Sequence, residues 1–519
     1  LTSSNSNYTL SFGTQAGSIT AKSLSISGLT APSSRTYDAT RIAAVSGTPT
    51  VLTEAVGSGT ASDGKAYIGD AISFNSTATG TYDTKDVGAT TITFGGLTSG
   101  NSNYTLSFGT QAGSITPKTL TVTGLTAPTS RIYNGTRSAV VTGTPTLLAT
   151  ETVGAGLTTD GMPYAGDTIT FNGTAIGTYN TKDVGATTIT FGGLTSSNNN
   201  YTLALGTQTG SISKANLSKV TAAKVYDGLN TVNYSEVIAI EGINNETFTT
   251  SAGTAIVSDK NVATLSKTLT NLSGLTLGST NGGLASNYNL NTDLPAAGIN
   301  NLVTISQRAL TLTAASETKT YDGSTSSSGT VAVTNKATTD TVSATQSFAS
   351  KDAAGIGLST LQVNAGYTIV DGTNVDMSGN YAVTTQTATG TISKANLSKV
   401  TATKVYDGLS TVTAAQVTAI EGVNNETFTA SAGTATISDK NVATFNKTLT
   451  SLSGLTLVGG NNTILASNYN LGTGLPAAGS NNQVTISAAD LTKVSASKVY
   501  DGLSTVAAAQ VTAIEGVNN

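Results

Sequence analysis

A short tyrosine motif recurs along the chain at nearly constant intervals. The motif reads Tyr-[Asp/Asn]-[Gly/Ala], and its copies begin at Tyr37, Tyr133, Tyr226, Tyr321, Tyr406 and Tyr500. Successive copies lie 96, 93, 95, 85 and 94 residues apart. A fixed period of this length restricts the fold to an array of similar units, because each unit has to reproduce the same elements.

Three further residue series keep the same rhythm. An Asn-Tyr pair ends at Tyr8, Tyr104, Tyr201, Tyr288, Tyr381 and Tyr469. A lysine before a turn-like segment occurs at Lys85, Lys182, Lys260, Lys351 and Lys440. An acid opens an alternating run at Asp70, Asp167, Glu246, Asp340 and Glu426. Because these positions persist between copies that otherwise differ, they are the most informative residues of the chain.

The series divide the chain into five whole repeats and two partial ones. We number the whole repeats 1 to 5, and they cover residues 21–116, 117–213, 214–306, 307–393 and 394–487. Residues 1–20 match the tail of a repeat, and residues 488–519 match the start of another. We therefore expect a section of a longer protein.

The local pattern predicts an all-β fold. Apolar and polar residues alternate in Tyr8–Phe12, Ile92–Phe94 and Val484–Ile486, as in half-buried strands. Asp-Gly pairs such as Asp407-Gly408 predict tight turns with a positive φ at the glycine. Helical stretches are few, and the best of them, Thr413–Ile420, could also be a strand. We expect β-sandwich-like domains of about 95 residues, Ig-like or β-grasp-like; the alternative is a β-solenoid, whose shorter coil period is not visible.

A connector of constant length joins the repeats. An Ile near the end of one repeat and a Leu near the start of the next are always five residues apart. The six pairs are Ile19/Leu24, Ile115/Leu120, Ile212/Leu217, Ile305/Leu310, Ile392/Leu397 and Ile486/Leu491. No Gly/Ser-rich spacer intervenes, so the pattern favours a stiff, elongated rod over loosely strung domains.

The composition excludes several kinds of chemistry. The chain has no His and no Cys, which rules out imidazole catalysis, disulfides and thiolate metal sites. A net charge of −4 over 519 residues gives no electrostatic reason to bind nucleic acid or anionic lipid. No apolar run is long enough to insert into a membrane as a helix, and LTSSNSNYTL does not read as a signal peptide. We expect no catalytic residue, cofactor or metal; carboxylate-only chemistry such as glycoside hydrolysis is the one enzymatic alternative.

The ordered motifs resemble a known family. Lys-Val-Tyr-Asp-Gly is followed by Ile-Glu-Gly-x-Asn-Asn-Glu, Asp-Lys-Asn-Val, Ser-Asn-Tyr-Asn-Leu and Val-Thr-Ile-Ser. This order is similar to the YDG-type and MBG-type tandem repeats of filamentous-haemagglutinin-like bacterial surface adhesins. Copies 1 and 2 depart from it, with Asp38-Ala39 and Asn134-Gly135. The resemblance implies a secreted, extracellular protein of the bacterial cell surface without a catalytic site.

Three sets of residues are candidate sites. The acid, Lys and Asn of each repeat, Asp70, Lys85 and Asn103 in repeat 1, could form an internal isopeptide crosslink, or could be ordinary turn and strand-edge residues. The motif tyrosines could stack on glycans, or could be core residues whose hydroxyls find local partners. The cluster Asp83–Asp86 could bind calcium, but it has no calcium-loop pattern and contains Lys85, which favours a solvated turn.

Two functional interpretations follow. The first is a structural stalk or fibre region of a giant adhesin that serves cell adhesion, aggregation or biofilm matrix formation. The alternative is a repeat module that binds glycans or host surfaces directly through exposed Tyr and Asn. Only 10% of residues are charged and only eight are proline, so few residues are present that would keep exposed strand edges from pairing with another chain. We therefore expect self-association into filaments.

Overall fold

The computed structural model describes residues 1–442, 447–461 and 463–518, without the side chains of residues 263–266. Those residues form an all-β protein, as the alternating sequence pattern predicts. The helices among them are 3₁₀ turns of three residues, at Tyr234–Glu236, Ile243–Asn245, Ala285–Asn287, Ser378–Asn380, Ala414–Gln416, Val423–Asn425, Ala466–Asn468 and Ala508–Gln510.

Most strands of repeats 1 and 2 are short, and repeat 2 also has two strands of nine residues. The strands of repeat 1 are β1 Lys22–Ile26, β2 Ser34–Thr36, β3 Ile42–Ala43, β4 Thr53–Glu54, β5 Ala66–Tyr67, β6 Phe74–Asn75, β7 Thr79–Tyr82, β8 Thr91–Gly95, β9 Thr98–Ser99, β10 Tyr104–Phe108, β11 Thr110–Ala112 and β12 Ser114–Thr116. Those of repeat 2 are β13 Lys118–Thr123, β14 Ser130–Ile132, β15 Ser138–Ala139, β16 Thr146–Leu147, β17 Phe171–Tyr179, β18 Thr188–Ser196, β19 Tyr201–Ala204, β20 Thr207–Thr209 and β21 Ser211–Ser213.

The described strands of repeats 3 to 5 are three to ten residues long. Repeat 3 has β22 Lys219–Val225, β23 Thr231–Asn233, β24 Val237–Glu241, β25 Phe248–Val257, β26 Ala263–Lys267, β27 Leu269–Asn271, β28 Leu275–Ser279 and β29 Asn301–Ser306. Repeat 4 has β30 Arg308–Thr313, β31 Thr318–Thr320, β32 Ala332–Thr334, β33 Asp340–Ser343, β34 Gln346–Phe348, β35 Ser359–Val363, β36 Thr368–Asp371, β37 Tyr381–Gln386 and β38 Ala388–Ser393. Repeat 5 has β39 Lys399–Val405, β40 Thr411–Thr413, β41 Val417–Glu421, β42 Phe428–Ile437, β43 Leu449–Ser451, β44 Leu455–Gly459 and β45 Asn482–Ser487, and the partial repeat after it has β46 Lys493–Ala496 and β47 Val511–Glu515.

The strands pair into open sheets of two to four strands, and each described ladder lies within one repeat. The first strand of a repeat runs parallel to a strand from its second half. In repeat 2, β13 pairs with β19 and places Leu120 opposite Leu203. In repeat 5, β39 pairs with β45 and places Ala402 opposite Val484. The beginning and the end of each repeat are thereby held side by side.

This pairing fixes the position of the motif tyrosine. The strand that leads into the tyrosine lies parallel to the last strand of the same repeat, as β14 does to β21 and β31 to β38. The tyrosine amide then donates to the carbonyl of the last strand's final residue, from Tyr37 to Thr116 and from Tyr226 to Ser306, both at 2.9 Å. Each tyrosine therefore sits at the end of its repeat where the next repeat begins.

The described residues divide into two compact units. The first comprises Leu1–Ser218, Glu241–Thr249 and Gly278–Asn289, and the second comprises Lys219–Ile240, Thr250–Leu277 and Leu290–Asn519. Within the first unit, one buried cluster contains residues of both repeats 1 and 2. Within the second, one cluster continues from repeat 4 into repeat 5. The apolar core is thus continuous across these repeat boundaries.

Two expectations about elements need correction. Tyr8–Phe12 forms no strand and is largely exposed, whereas the matching Tyr104–Phe108 is a strand because Lys22–Ile26 pairs with it. No such partner lies beside Tyr8–Phe12 among the described residues. Thr413–Ile420 is neither one helix nor one strand: a 3₁₀ turn at Ala414–Gln416 separates β40 from β41. The Gln416 side chain accepts from the Thr413 amide, which closes that turn.

Candidate functional site: the repeat junction

The motif tyrosine of one repeat inserts into the next repeat. The Tyr37 hydroxyl donates to Asp167 Oδ2 of repeat 2 over 2.9 Å, across a separation of 130 residues. The same oxygen accepts the hydroxyl of Tyr201, the Asn-Tyr tyrosine of repeat 2, at 2.7 Å. One carboxylate therefore binds two tyrosines, one from each side of the boundary. We call the acid, the Asn and the second tyrosine of the receiving repeat the socket.

The same arrangement occurs at three further boundaries. The acid takes one hydroxyl from the preceding repeat and one from its own repeat each time. The triplets are Tyr133–Glu246–Tyr288 at 2.7 and 2.7 Å, Tyr226–Asp340–Tyr381 at 3.0 and 2.7 Å, and Tyr321–Glu426–Tyr469 at 2.8 and 2.6 Å. Hydrogen bonds to an ionised carboxylate are stronger than those between neutral groups, so each triplet makes a strong polar contact between repeats.

The two tyrosine rings of each triplet also pack against each other. The Tyr37 and Tyr201 ring centroids lie 5.3 Å apart at 82°, and the Tyr321 and Tyr469 centroids lie 5.5 Å apart at 75°. Such edge-to-face pairs add to the energy of burial. The inserted tyrosines are 0–2% exposed. Burial, together with the bond to the acid, raises the pKa of Tyr37 and of Tyr321 to about 12.

The socket asparagine clamps a loop of the preceding repeat. Asn200 Oδ1 accepts from the amide of Val87 at 2.7 Å, and Asn200 Nδ2 donates to Asp86 at 2.8 Å. Asn468 binds Ala353 and Asp352 in the same two ways, at 2.8 and 2.9 Å. Asn287 and Asn380 do likewise at their boundaries. Since both ends of each amide are satisfied, the asparagine fixes the relative position of the two chain segments.

A cation before the tyrosine shapes the turn that carries it. Lys404 Nζ binds Asp407 at 2.6 Å and the carbonyl groups of Leu409 and Thr411 at 3.0 and 2.7 Å. The Asp407 side chain accepts the Leu409 amide at 2.9 Å, which forms an Asx-turn. Arg35 and Arg131 bind their own turns in the same place, which explains why Lys and Arg interchange two residues before the tyrosine. We call this segment the tyrosine turn.

The residue after the Asp or Asn has a positive φ in every copy. Gly408 has φ 75°, as the Asp-Gly pattern predicts, and Gly323 has φ 78°. Ala39 takes the same conformation with φ 62°, although a Cβ makes it costly there. All copies of the turn therefore share the positive φ at this position, although not all of them have glycine there.

The turn carbonyl makes a contact that the sequence does not predict. Asn244 and Asn424, each with a left-handed backbone, donate from Nδ2 to the carbonyl groups of Asn134 and Asp322 at 2.8 and 2.6 Å. In repeat 2 the amide of Gly154 takes this role toward Asp38 at 3.1 Å. The signal for it was present in Gly-x-Asn-Asn-Glu, because a conformation with φ near 50° favours Asn.

The predicted isopeptide residues of repeat 1 have separate partners. Lys85 Nζ donates to Tyr37 and to Asp86, each at 3.3 Å. Asp70 accepts a hydrogen bond from the Tyr104 hydroxyl at 2.6 Å. Asn103 is exposed, and its backbone carbonyl accepts from the Lys22 amide. Burial lowers the pKa of Lys85, but its bonds to Tyr37 and Asp86 outweigh that effect and raise the pKa above the usual value. A lysine held protonated is a poor nucleophile.

The sequence series does assemble, but across the boundary. The Tyr37 hydroxyl binds both Lys85 of its own repeat and Asp167 of the next, and Asp86 binds both Lys85 and Asn200. The motif tyrosines Tyr37, Tyr133, Tyr226 and Tyr321 are thus buried, and each of their hydroxyls donates to an acid of the next repeat and not to an acceptor of its own repeat. Of the other copies, Tyr406 is half-buried and Tyr500 is 93% exposed.

The suggested calcium cluster is an ordered turn. The Asp83 carboxylate accepts from the amides of Thr90 and Thr91 and from the Thr90 hydroxyl. Over the described ranges, no three or more acidic side chains gather in a way that could hold a metal ion. Nor does the described part of the chain contain a helix with the length and apolar character needed to cross a membrane.

The fold and its junctions define a class, an all-β tandem-repeat protein whose units are joined by shared polar sites. The YDG domain model matches residues 20–112, 116–210, 213–296 and 391–477. These matches cover more than half of the chain, which therefore belongs to the YDG domain family. They leave repeat 4 outside, although Tyr321 and Asp340 of that repeat make the same junction contacts. Searches of curated proteins and of solved structures gave no match.

Proposed function

We propose that the chain is a structural stretch of a secreted bacterial surface adhesin, in which coupled YDG repeats form a stalk or fibre and transmit tension between a cell and what it adheres to. Cell adhesion, aggregation or biofilm matrix formation would be the biological outcome. One observation carries the proposal: four successive boundaries hold a motif tyrosine in a buried bond to an acid of the next repeat.

That contact suits a tension-bearing role for a physical reason. Pulling two neighbouring repeats apart would expose an apolar ring and leave a carboxylate without one of its two hydroxyl donors. Both effects oppose separation, since removing a partner from a desolvated charge is costly. The asparagine clamp and the bond to the turn carbonyl would have to break as well. A string of independent domains on flexible linkers would not need such contacts.

We further propose that each repeat is a sandwich-like domain rather than a coil of a solenoid. In a solenoid, successive coils pair with one another through continuous ladders. The described ladders instead close within single repeats, and side chains and turns make the contacts between repeats. Mixed parallel and antiparallel pairing inside each repeat also suits a globular unit.

The alternative function is direct binding of glycans or host surfaces through exposed Tyr and Asn. The four inserted tyrosines are buried, so a stacking surface would have to use others, such as Tyr8 at 69% and Tyr234 at 39% exposure. A glycan array probed with the full chain tests this function. Binding that Tyr234→Ala abolishes would favour it over the stalk.

Single-molecule pulling tests the stalk. With the full chain tethered by its two ends, we expect discrete unfolding events. Each should release roughly 300 Å of contour, because about 95 residues extend to about 3.5 Å each and the folded length is subtracted. Smooth extension without events would contradict a tension-bearing array.

The role of the junction needs its own comparison. The fourfold variant Tyr37→Phe, Tyr133→Phe, Tyr226→Phe and Tyr321→Phe keeps the rings but removes the hydroxyls, so we expect lower unfolding forces. Tyr82→Phe with Tyr179→Phe is the matched control, because both residues are buried at 1% within their own repeats. Equal unfolding forces in the two variants would show that the junction hydroxyls do not contribute to the mechanical resistance of the chain. Labelling of intact source cells with an antibody to the chain tests the surface location.

A further inference from the structure

Each of the four junctions brings the hydroxyls of two tyrosines to one carboxylate. At the first junction, Tyr37 and Tyr201 both donate to Oδ2 of Asp167, at 2.9 and 2.7 Å. Since they share one acceptor atom, the two phenol oxygens lie no more than two hydrogen-bond lengths apart. The hydroxyl-bearing edges of the two rings therefore meet at the acid, which brings the ring carbons beside the two hydroxyls near each other.

The two rings of each pair are also in contact. Their centroids lie between 5.3 and 5.6 Å apart, and their planes meet at 75–82°. The pairs are Tyr37–Tyr201, Tyr133–Tyr288, Tyr226–Tyr381 and Tyr321–Tyr469. Two phenols joined by a carbon–carbon bond beside their hydroxyls are twisted out of one plane, because the groups that flank the bond would collide. A steep angle between the rings is therefore compatible with such a bond after a small further approach.

The composition makes tyrosine the group that gives up an electron. The chain has 18 Tyr but no Trp, no Cys and no His. Its two Met are oxidised mainly by oxygen transfer, to the sulfoxide. A single electron removed from this chain therefore comes from a phenol. The four inserted tyrosines are 0–2% exposed, so a radical formed on one of them is shielded from solvent and from other chains.

The junction acid supplies the proton acceptor that this oxidation requires. A tyrosine loses its phenolic proton together with the electron, because the radical cation of a phenol is a strong acid. Asp167 already accepts hydrogen bonds from both phenols, so it can take this proton without rearrangement. Glu246 and Glu426 use both carboxylate oxygens, one for each phenol. The oxidant need not touch the ring, because an electron can pass through a thin layer of protein to the surface.

We propose that the paired tyrosines of each junction are a modification site, at which one-electron oxidation joins them into dityrosine. One C–H bond beside each hydroxyl breaks, and one carbon–carbon bond forms between the rings. Two equivalents of a one-electron oxidant, such as the oxidised haem of a peroxidase, take the two electrons, and two protons pass to solvent. The product is a covalent bond between neighbouring repeats of a chain that has no cysteine. It requires only the junction contacts, so it holds whether or not the chain serves as an adhesin stalk.

Tyr164 is the alternative partner for Tyr37. Its ring centroid lies 5.9 Å from that of Tyr37, and the two planes meet at 67°. Among the tyrosines that the structure describes, however, only Tyr37 and Tyr201 donate their hydroxyls to Asp167. The acid therefore holds the hydroxyl-bearing edge of Tyr201, and not that of Tyr164, against Tyr37. We expect the bond to form with Tyr201.

Photo-oxidation of the dilute, folded 519-residue chain tests this assignment. Light, a tris(bipyridine)ruthenium complex and persulfate generate the one-electron oxidant, and trypsin then separates the two partners. Residues 36–41 contain Tyr37 as their one tyrosine, and residues 183–214 contain Tyr201 as theirs. We expect mass spectrometry to find these two peptides joined, with a mass two hydrogen atoms below their sum. Dityrosine fluorescence should appear in the same fraction.

Three variants identify the partner. Tyr37→Phe and Tyr201→Phe keep their rings but lack the phenol, so each should lose the link between residues 36–41 and residues 183–214. Tyr164→Phe is the matched control and should retain the link. Even if Tyr201→Phe perturbs its repeat, the position of the link in the wild-type chain distinguishes Tyr201 from Tyr164, which lies in the separate tryptic peptide of residues 138–182.

The second junction serves as an internal control. Tryptic digestion leaves Tyr133 in residues 132–137 and Tyr288 in residues 268–308, each as the one tyrosine of its peptide. The link between these peptides should persist in all three variants, which shows that the chain still folds and that the oxidant still acts.

Three results would overturn the proposal. The first is a link from Tyr37 to the peptide that holds Tyr164. The second is the absence of links at both junctions under conditions that oxidise Tyr234, which is 39% exposed. The third is equal formation of the links in the chain unfolded in urea, because the pairing would then owe nothing to the geometry of the junctions.

Discussion

At the scale of single residues, the junction depends on one hydroxyl per boundary. Tyr37→Phe keeps the ring in place but removes the donor to Asp167, which retains the Tyr201 hydroxyl. We expect the free energy of local opening at the boundary to fall by about 1.5 kcal/mol, as for a hydrogen bond to a charged group. Hydrogen exchange of the peptides around residues 34–40 and 160–170 measures it.

The control for this change is Tyr82→Phe. Tyr82 is equally buried, but it lies within the sheet of repeat 1, where β7 pairs with β8. Its replacement should leave exchange at residues 160–170 unchanged. Equal effects of the two substitutions would show that ring burial alone, without the hydroxyl, holds the boundary together.

The junction tyrosines also predict a response to alkaline pH. Burial, and after it the bond to an acid, raises the pKa of Tyr37 and Tyr321 to about 12, while an unfolded tyrosine ionises near pH 10. Below pH 10 both states are protonated and the contribution to stability is complete. Between pH 10 and 12 only the unfolded state loses the proton, so stability falls as the pH rises.

Phenolate absorbance in the near ultraviolet measures this effect. We expect the folded chain to titrate in a later phase than the same chain in urea, with loss of β-sheet circular dichroism accompanying that phase. The fourfold Tyr→Phe variant at the junctions should lose much of the late phase. A folded chain that titrates together with the unfolded one would refute the prediction.

A third prediction concerns backbone strain in the tyrosine turn. Gly323 has φ 78°, and a Cβ there would lie 2.9 Å from Nδ2 of Asn424 in the next repeat. Gly323→Val should therefore destabilise both the turn and its contact, by about 1–3 kcal/mol. Hydrogen exchange at residues 320–326 and 422–426 reports both.

Ala39 supplies the reverse experiment. It already has φ 62°, so Ala39→Gly should relieve strain and stabilise repeat 1 by about 0.5–1 kcal/mol. The two substitutions should change exchange in opposite directions. A neutral Ala39→Gly would mean that the surrounding contacts, and not the residue type, fix the conformation.

Residue series were predictable from the sequence, but their partners were not. Spacing identified Tyr37, Asp70, Lys85 and Asn103 as repeated positions, and Asp-Gly pairs correctly indicated a positive φ. It could not show that the acid of one repeat binds the tyrosine of the repeat before it, because a periodic series looks the same whether contacts form within one period or between two. Only the fold, which brings the tyrosine beside the last strand, distinguishes the two cases.

At the scale of elements, the connector has to hold two strand ends close together. β12 ends at Thr116 and β13 starts at Lys118, so only Pro117 lies between repeats 1 and 2. A Gly-Ser insertion between residues 116 and 117 should release Tyr37 from its socket, because the added length lets the repeats separate. Faster exchange at residues 34–40 with unchanged exchange in β17 and β18 is the expected result.

The position of this insertion matters. Lys118 is fully buried and binds Glu151 and Asp160, so an insertion after it would break an ion pair as well as the connector. The same Gly-Ser insertion after Ser58, in an exposed loop of repeat 1, is the control and should leave Tyr37 protected. If both insertions change exchange at residues 34–40 equally, the length of the connector does not determine whether Tyr37 stays in its socket.

Some of the strands were predictable from the alternation of apolar and polar residues. Ile92–Phe94 and Val484–Ile486 are strands, as their pattern indicates. The parallel pairing of first and late strands was not predictable, since period two fixes which face a residue occupies and carries no information about the partner strand. Tyr8–Phe12 illustrates the point, because its sequence is identical to that of β10 but no strand pairs with it among the residues that the structure describes.

At the scale of the whole chain, stability should depend on the repeats and on the contacts between neighbours. The wild-type chain should unfold in urea over a narrow range, because the loss of one repeat removes a socket or a tyrosine from the next. The fourfold Tyr→Phe variant should unfold earlier and over a broader range, as its repeats become independent. Circular dichroism measures both; Tyr82→Phe with Tyr179→Phe should retain the steep transition.

The shared carboxylate has a consequence for how such a chain can change in length. Three of the four junctions join repeats of differing type, and the receiving acid is Asp in two of the four and Glu in the others, yet the tyrosine binds in each. Any repeat can therefore follow any other. Recombination between gene copies could remove or duplicate a whole repeat and still leave every remaining tyrosine with an acid to bind, so length can vary without loss of cohesion.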